Sequence, residues 1–112
     1  MITGKYPSLR LRRSRKNNWS RRLVAENNLS AGDFILPIFL IDGKNKVQPI
    51  QSMPDVYRYS IDKIGKIIDR AIKNNVPMVA LFPNSSSRSK DSLGSEALNE
   101  DNLVCRAIRY IK

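Results

Sequence analysis

The sequence predicts an α/β fold in which parallel strands alternate with helices, preceded by a basic N-terminal arm. Two apolar runs of strand length, at 34–41 and 78–82, flank one amphipathic helical pattern at 60–73. A strand–helix–strand order favours a right-handed crossover, and therefore parallel pairing of the two strands. Strands this apolar are normally packed against other elements on both faces of the sheet, and two helices are barely enough to do so. We therefore interpret the 112 residues as the beginning of a larger α/β domain.

The arm is distinguished by its charge. Residues 1–22 carry eight of the 20 Lys and Arg residues and no Asp or Glu, whereas the rest of the chain is nearly neutral. We therefore predict a basic arm with a short helix at 1–30 and the strand–helix portion at 31–112. An arm of this kind indicates an acidic partner: a nucleic acid, a membrane surface or an acidic protein surface.

The short helix of the arm is predicted from its capping residue. Ser20 is the expected N-cap of a helix that runs to Asn27, with Leu23 and Val24 as its apolar contacts.

The first strand is predicted at 34–41, a run rich in β-forming residues that is expected to be buried on both faces. Pro37 cannot donate a hydrogen bond to a sheet, so it is expected where the strand is unpaired on that side, or at a bulge. Asp42 and Gly43 then end the strand with strong turn chemistry. Residues 44–59 are predicted to be a long connection, interrupted by two prolines.

The clearest amphipathic helix follows, with Ser60 as its predicted N-cap and its end near Lys73. The Asn74-Asn75 pair favours termination there, and residues 78–82 form the second apolar strand. The apolar positions of the helix recur at helical spacing: Ile61, Ile64, Ile67, Ile68 and Ile72.

The final part of the chain is predicted to be an exposed loop and a helix. Residues 84–95 concentrate serine, a glycine and mixed charge, which is typical of a surface loop. Asn99 is the predicted cap of the last helix, with Glu100 and Asp101 in a first turn where the helix dipole favours acidic groups. The apolar stripe of this helix is Leu103, Val104, Ala107, Ile108 and Ile111.

Composition excludes several classes of site. Histidine is absent, which removes Ser-His and Cys-His nucleophile systems and every metal motif that contains histidine. The single cysteine, Cys105, cannot form an internal disulfide or a cysteine-rich zinc site. No apolar run approaches the roughly 20 residues of a membrane-spanning helix, and no signal peptide is recognised. A cytoplasmic protein that does not contact the membrane is therefore expected.

Eight short segments, spread from the arm to the last helix, form a series that can be compared with known families. They are Arg10-Leu-Arg-Arg13, Trp19-Ser-Arg-Arg-Leu-Val24, Leu36-Pro-Ile-Phe39, Pro49-Ile-Gln-Ser-Met-Pro54, Val56-Tyr-Arg58, Ala80-Leu-Phe-Pro83, Gly94-Ser-Glu-Ala97 and Asn102-Leu-Val-Cys-Arg-Ala-Ile-Arg-Tyr-Ile-Lys112. In this order and spacing the series resembles the N-terminal third of the porphobilinogen synthase family, also called delta-aminolevulinic acid dehydratase. The resemblance covers nearly all of the chain.

The resemblance implies a (β/α)8 TIM barrel, of which this chain holds the arm and the first strand–helix units, in a homo-octamer whose arms wrap neighbouring subunits. The family is a lyase that condenses two molecules of 5-aminolevulinate into porphobilinogen in tetrapyrrole and haem synthesis. Two lysines form Schiff bases with the substrate ketones, and zinc or magnesium assists, depending on the subgroup. In the family pattern these lysines and the metal ligands lie beyond Lys112. The 112 residues alone are therefore expected to be inactive and to bind no metal.

Two residues fall at predicted strand ends, where a barrel places its catalytic face. The resemblance makes Phe82 a candidate wall of the substrate pocket, and an ordinary buried aromatic is the alternative. Asp42 takes the equivalent position after the first strand, where a turn-forming aspartate is the favoured interpretation. Cys105 is interpreted as a small helix residue, because metal-binding cysteines occur in clusters.

The lysines outside the arm are interpreted as solvated surface charges, since they fall in polar loops or on polar helix faces. They are Lys44, Lys46, Lys63, Lys66, Lys73, Lys90 and Lys112.

The arm is compatible both with binding a nucleic-acid backbone and with docking on acidic grooves of a neighbouring subunit. Arginine outnumbers lysine in it, which favours structured ion pairs, and the resemblance favours subunit contact over nucleic acid. A small basic nucleic-acid-binding protein with an α/β scaffold is the alternative function, and an inactive α/β fragment is a third. The candidate subunit contacts are Arg10, Arg12, Arg13, Trp19, Arg21 and Arg22.

Overall fold

The computed structural model describes residues 3–85 and 90–112. Four helices and four strands are found in this part of the chain, together with single 3₁₀ turns at Arg13–Arg15, Ala31–Asp33 and Ile61–Lys63. The helices are α1 (Asn18–Leu23), α2 (Gly65–Lys73), α3 (Ser95–Leu98) and α4 (Leu103–Ile111). The strands are β1 (Ile35–Leu40), β2 (Val47–Pro49), β3 (Tyr57–Tyr59) and β4 (Met78–Pro83). Within the described ranges, none of the helices has the length and apolar character that crossing a bilayer requires.

The four strands form one mixed sheet in the order β2-β3-β1-β4. β1 and β4 pair in parallel along their whole length, from Ile35 opposite Met78 to Leu40 opposite Pro83. The predicted parallel pairing through a helical crossover is therefore confirmed, and the register has no bulge at Pro37. In the described part of the chain, β1 pairs with β3 only at Phe39 and Leu40, so Pro37 lies where the other edge of β1 has no strand partner.

The segment predicted as a long irregular connection, 44–59, instead contains the two short strands β2 and β3. They pair antiparallel with each other, and β3 also pairs parallel with the end of β1. Pro49 fits this arrangement because β2 is an edge strand, where one side needs no backbone donor. The prediction was wrong because three-residue strands are too short to show a hydrophobic period.

The core lies on one face of the sheet. Ile38 and Leu40 of β1 are buried against Ile64 and Ala107, with Val79 and Leu81 of β4 packed at the margin. The described residues cover only this face, which agrees with the expectation that two helices barely cover strands whose apolar character calls for cover on both faces. The residues that alternate with the core positions form an apolar open face, defined as Ile35, Pro37, Phe39, Met78, Ala80 and Phe82.

The boundaries of α1 differ from the prediction. The helix begins at Asn18 and ends at Leu23, short of Asn27, and its N-cap is Asn17. Ser20 lies inside the first turn, where its hydroxyl accepts a hydrogen bond from the Asn17 N–H at 3.3 Å and donates to the Asn17 carbonyl at 2.9 Å. Leu23 and Val24 are exposed, so they are not the apolar contacts that were expected.

α2 begins later than the sequence pattern predicts. Ser60 precedes a 3₁₀ turn, and the α-helix starts at Gly65. The helix ends at Lys73 as predicted, but Ile72 is 67% exposed and Ala71 takes the buried position. The five-isoleucine stripe was therefore correct except at its last member.

The last helix is capped by Asn102 and not by Asn99. The Asn102 Oδ1 accepts a hydrogen bond from the Cys105 N–H at 2.8 Å, which satisfies one of the free donors of the first turn of α4. Glu100 and Asp101 consequently precede the helix instead of lying within it. In the predicted apolar stripe Ala107 is fully buried, whereas Ile108 is exposed.

The predicted loop at 84–95 is only partly described. α3 begins at Ser95, at the end of that segment, and its one turn was not expected from the serine-rich composition. Ser86, Ser87 and Ser89 lie outside the described residues.

The arm extends away from the core. Every residue from 3 to 19 is exposed, and the described chain measures 71 × 37 × 26 Å. Its radius of gyration is 22.6 Å, whereas a compact chain of this length has about 13 Å. The arm therefore has no hydrophobic interior of its own. The division of the chain into 1–30 and 31–112 stays a prediction.

Candidate functional site

The carboxyl ends of β1 and β4 lie side by side. Leu40 pairs with Pro83, and one step further the Asn84 N–H donates to the Leu40 carbonyl at 2.8 Å. Asp42 and Phe82 are therefore at the same end of the sheet, as the parallel crossover predicts. This end is the candidate functional site.

Phe82 lies on the open face of the sheet and is 49% exposed. Its ring centroid is 5.5 Å from that of Phe39, with 30° between the ring planes. The two interpretations of Phe82, a wall of the substrate pocket and an ordinary buried aromatic, both stay predictions. Sequence reasoning missed Phe39, because the register of β1 against β4 that pairs it with Phe82 is known only from the structure.

Asp42 forms an ion pair with Arg106 of α4, whose Nη2 lies 3.0 Å from the Asp42 Oδ1. The same Oδ1 accepts a hydrogen bond from the Gly43 N–H at 3.0 Å, which is the turn geometry that the sequence predicts. Lys46 Nζ donates to the Asp42 carbonyl at 3.2 Å. The hydrogen bond from Arg106 is the main reason that the pKa of Asp42 is below its usual value, and Gly43 and Lys46 act in the same direction.

A groove of about 650 Å³ opens between the end of β4 and the start of α4. Pro83, Asn102 and the half-buried Cys105 line it together with Lys90 and Asp91. Among residues 3–85 and 90–112, no group of three or more Cys, Asp or Glu side chains is placed to hold a metal ion. The residues described here therefore do not fit a zinc or magnesium site, and Cys105 is a lone thiol.

The lysines outside the arm are exposed, as predicted. Lys46 contacts the candidate site through its ammonium group, but it donates to a backbone carbonyl at the rim and lies outside any apolar pocket.

The six arm residues predicted to contact a subunit are exposed, Trp19 by 63%. Arg21 donates to the Arg15 carbonyl at 3.1 Å and to the Asn18 Oδ1 at 2.9 Å, and Arg10 stacks over the Tyr6 ring at 5.5 Å. None of the ion pairs found in the described part of the chain involves the arm. The arm side chains are exposed, so their guanidinium groups, including those of Arg10 and Arg21, remain accessible to a partner.

Comparisons with known proteins give a consistent result. The profile of the family described as delta-aminolevulinic acid dehydratase matches residues 8–112. A delta-aminolevulinic acid dehydratase of Bradyrhizobium diazoefficiens is 50% identical over 105 residues, which are 94% of this chain and 30% of the relative. One from Ruminiclostridium josui is 42% identical over 103 residues, 92% of this chain and 49% of that relative. The chain thus spans from about a third to about half of the length of these relatives.

A solved structure is similar over nearly the whole chain. It is the delta-aminolevulinic acid dehydratase (porphobilinogen synthase) of Toxoplasma gondii in complex with its reaction product porphobilinogen. The TM-score is 0.80 at 35% sequence identity, covering 93% of this chain and 29% of that one.

Proposed function

This chain belongs to the delta-aminolevulinic acid dehydratase family, and on that premise we propose that it supplies the arm and the first strand–helix units of a porphobilinogen synthase. The reaction condenses two molecules of 5-aminolevulinate into porphobilinogen with release of two waters, a step of haem and other tetrapyrrole synthesis. The observation that carries the proposal is the match of 93% of the chain, at a TM-score of 0.80, to a structure that holds porphobilinogen.

The sheet supports the proposal that these residues form part of a TIM barrel. In such a barrel parallel strands carry helices on the outside and alternate side chains fill the interior. Here α2 and α4 pack on one side of β1 and β4, and the other side is the open face. We infer that the open face forms part of the barrel interior.

Phe82 is the proposed contribution of this chain to the substrate pocket. It stands at the carboxyl end of β4, where barrel enzymes place their active sites, and half of its side chain is free to contact a ligand. An aromatic ring there excludes water and packs against the carbon chain of 5-aminolevulinate. The Schiff-base lysines are expected outside residues 1–112, so the covalent steps are assigned to another part of the enzyme.

The metal that the family uses is likewise assigned elsewhere. Zinc or magnesium is expected, but the described residues offer no ligand cluster, and we derive no step of the reaction through it.

The arm is proposed to contact a neighbouring subunit in a homo-octamer. Its exposed guanidinium groups suit the carboxylates of an acidic groove, since arginine pairs with carboxylates in a planar, bidentate geometry. The same exposed charge supports the alternative of nucleic-acid binding. Deletion of the arm tests assembly, and titration with RNA or DNA at physiological salt tests the alternative. A cytoplasmic location is part of the same proposal.

The experiment is an assay of porphobilinogen formation from 5-aminolevulinate by the complete product of the gene. If the gene encodes only these 112 residues, the assay uses a chimera in which they replace the matching part of the Bradyrhizobium diazoefficiens relative. We expect porphobilinogen to form far above the buffer rate. A matched chimera that lacks residues 31–112 is the inactive control. A folded but inactive protein would contradict the proposed function.

A further inference from the structure

We propose that Phe39 is a positioning residue that holds the ring of Phe82 in the orientation in which it meets substrate. The inference rests on the proposed function, which places Phe82 in the wall of the substrate pocket. The inference adds a residue of the neighbouring strand to the candidate site. The sequence pattern does not single out Phe39, because it is one of several apolar residues in the run 34–41.

The two rings are brought together by the register of the sheet. Phe39 of β1 is the direct partner of Phe82 of β4, and paired residues of parallel strands point to the same face. Their centroids are 5.5 Å apart and the ring planes are inclined by 30°. This distance is within the range in which two aromatic rings attract each other through their quadrupoles.

The backbone under Phe82 has little freedom. β4 is paired with β1 at all six of its residues, and the Asn84 N–H to Leu40 carbonyl bond fixes the chain just after the strand. The remaining freedom is rotation of the Phe82 side chain. Ala80, the preceding residue on the same face, has only a methyl group, whereas Phe39 places a whole ring against the ring of Phe82.

The exposures of the two side chains differ in the way this role requires. Phe39 is half-buried, whereas Phe82 keeps 49% of its surface exposed. Phe39 therefore lies beside Phe82 and is the more buried of the two, whereas Phe82 retains a free surface for a ligand. Phe39 is expected to influence substrate through Phe82 rather than by direct contact.

This role predicts a specific kinetic effect. Without Phe39, the Phe82 ring samples other rotamers, and the pocket binds substrate in fewer of them. The covalent steps depend on groups elsewhere, so kcat is expected to change by less than about twofold while KM rises by about threefold to tenfold. A merely structural role would lower the fraction of folded enzyme, and would reduce the apparent kcat without moving KM.

The test uses the complete enzyme, or the chimera described above, with 5-aminolevulinate as substrate. Phe39→Ala should raise KM, and Phe39→Tyr, which keeps the ring, should restore it to near the original value. In a protein that already carries Phe82→Ala, adding Phe39→Ala should cause no further rise, because the positioned ring is absent. Independent, multiplicative effects of the two substitutions would overturn the proposal.

Ile35→Ala is the matched control. Ile35 and Met78 form the corresponding apolar pair at the opposite end of the same open face, and both are more than half exposed. The control removes apolar surface from the same strand and face, and it should leave KM unchanged. An equal rise in KM for Ile35→Ala would mean that Phe39 acts only through the general integrity of the face. An unaltered enzyme that makes no porphobilinogen would contradict the proposed function itself, whereas an active enzyme insensitive to Phe39 would contradict this inference alone.

Discussion

Asp42 and Arg106 lie 64 positions apart in the sequence and are joined by an ion pair of 3.0 Å. The pair connects the turn after β1 to the end of the first turn of α4, at the end of the sheet where the candidate site lies. The Asp42 carboxylate also accepts a hydrogen bond from the Gly43 N–H, and the Asp42 carbonyl accepts one from Lys46. One residue therefore connects the turn after β1 to the last helix.

The ion pair predicts a dependence of stability on pH. Arg106 lowers the pKa of Asp42 in the folded protein, so its contribution is present above the usual value of 3.8 and disappears as the pH falls through the lowered value. Since both side chains are largely exposed, Asp42→Asn should lower the free energy of unfolding at pH 7 by no more than about 1 kcal/mol. Urea unfolding at a series of pH values measures the difference, which should shrink in acid and in 1 M salt. A difference that grew in acid would contradict the assignment.

Ser60 offers a test of the hairpin that the sequence pattern did not predict. Its buried hydroxyl accepts from the Lys46 N–H at 2.9 Å and donates to the Lys46 carbonyl at 3.3 Å, which joins the start of the hairpin to its end. Ser60→Ala should destabilise the protein by about 1–3 kcal/mol, because the Lys46 N–H loses its acceptor. Chemical denaturation measures the loss. Ser52→Ala, at an exposed position, is the control and should stay within about 0.5 kcal/mol.

The 112-residue chain by itself should not make porphobilinogen. Its described lysines are exposed surface groups, and a Schiff-base lysine needs a desolvated amine of lowered pKa. A colorimetric assay of the purified chain with 5-aminolevulinate checks this expectation. Turnover well above the buffer rate would show that the catalytic lysines lie within these residues.

Phe82→Ala in the complete enzyme should raise KM, because the substitution removes a wall of the proposed pocket. The side chain is half exposed, so the free energy of unfolding should fall by less than the roughly 3–5 kcal/mol typical of a buried phenylalanine. Steady-state kinetics and denaturation of the same preparation separate the two effects. Unchanged kinetics with a full loss of 3–5 kcal/mol would assign Phe82 to the core alone.

Removing residues 1–22 from the complete enzyme should reduce the proposed octamer to smaller species and lower the activity. The arm has no interior of its own, so it needs another surface to order it. Light scattering reports the mass of the assembly directly. An octamer that survives the deletion would contradict the assembly role.

The same arm should show no sub-micromolar binding of RNA or DNA at physiological salt. Eight positive charges hold any polyanion weakly at low ionic strength, so titrations at two salt concentrations are required. Tight binding that persists at physiological salt would favour the nucleic-acid alternative.

The pairing of strands distant in the sequence could be predicted where the apolar pattern was uninterrupted. The runs at 34–41 and 78–82 predicted two parallel strands and their common end, because uninterrupted apolar character and the crossover rule leave few arrangements. The hairpin was not accessible, since β2 and β3 have three residues each and are held by partners rather than by propensity. Helix starts were misplaced because the Ser60 hydroxyl bonds to Lys46 in the hairpin, whereas Ser20 and Asn99 bond within local turns.

The candidate site could likewise be predicted only in part from the sequence. Phe82 and Asp42 could be placed at one edge of the sheet from the order of elements. Their partners, Phe39 and Arg106, could not be identified in this way, because each is one of several similar residues along a strand or a helix. Only the register of β1 against β4, and the rotation of α4 about its axis, select them.

The open face of the sheet has a consequence for biosynthesis. A nascent chain that has left the ribosome as far as Lys112 can already pair β1 with β4, yet it presents exposed Ile35, Met78 and Phe82 to solvent. Exposed apolar surface of this kind associates with other nascent chains at cellular concentrations, and chaperones counter it by holding such intermediates. Folding of a chain that presents this face therefore competes with aggregation.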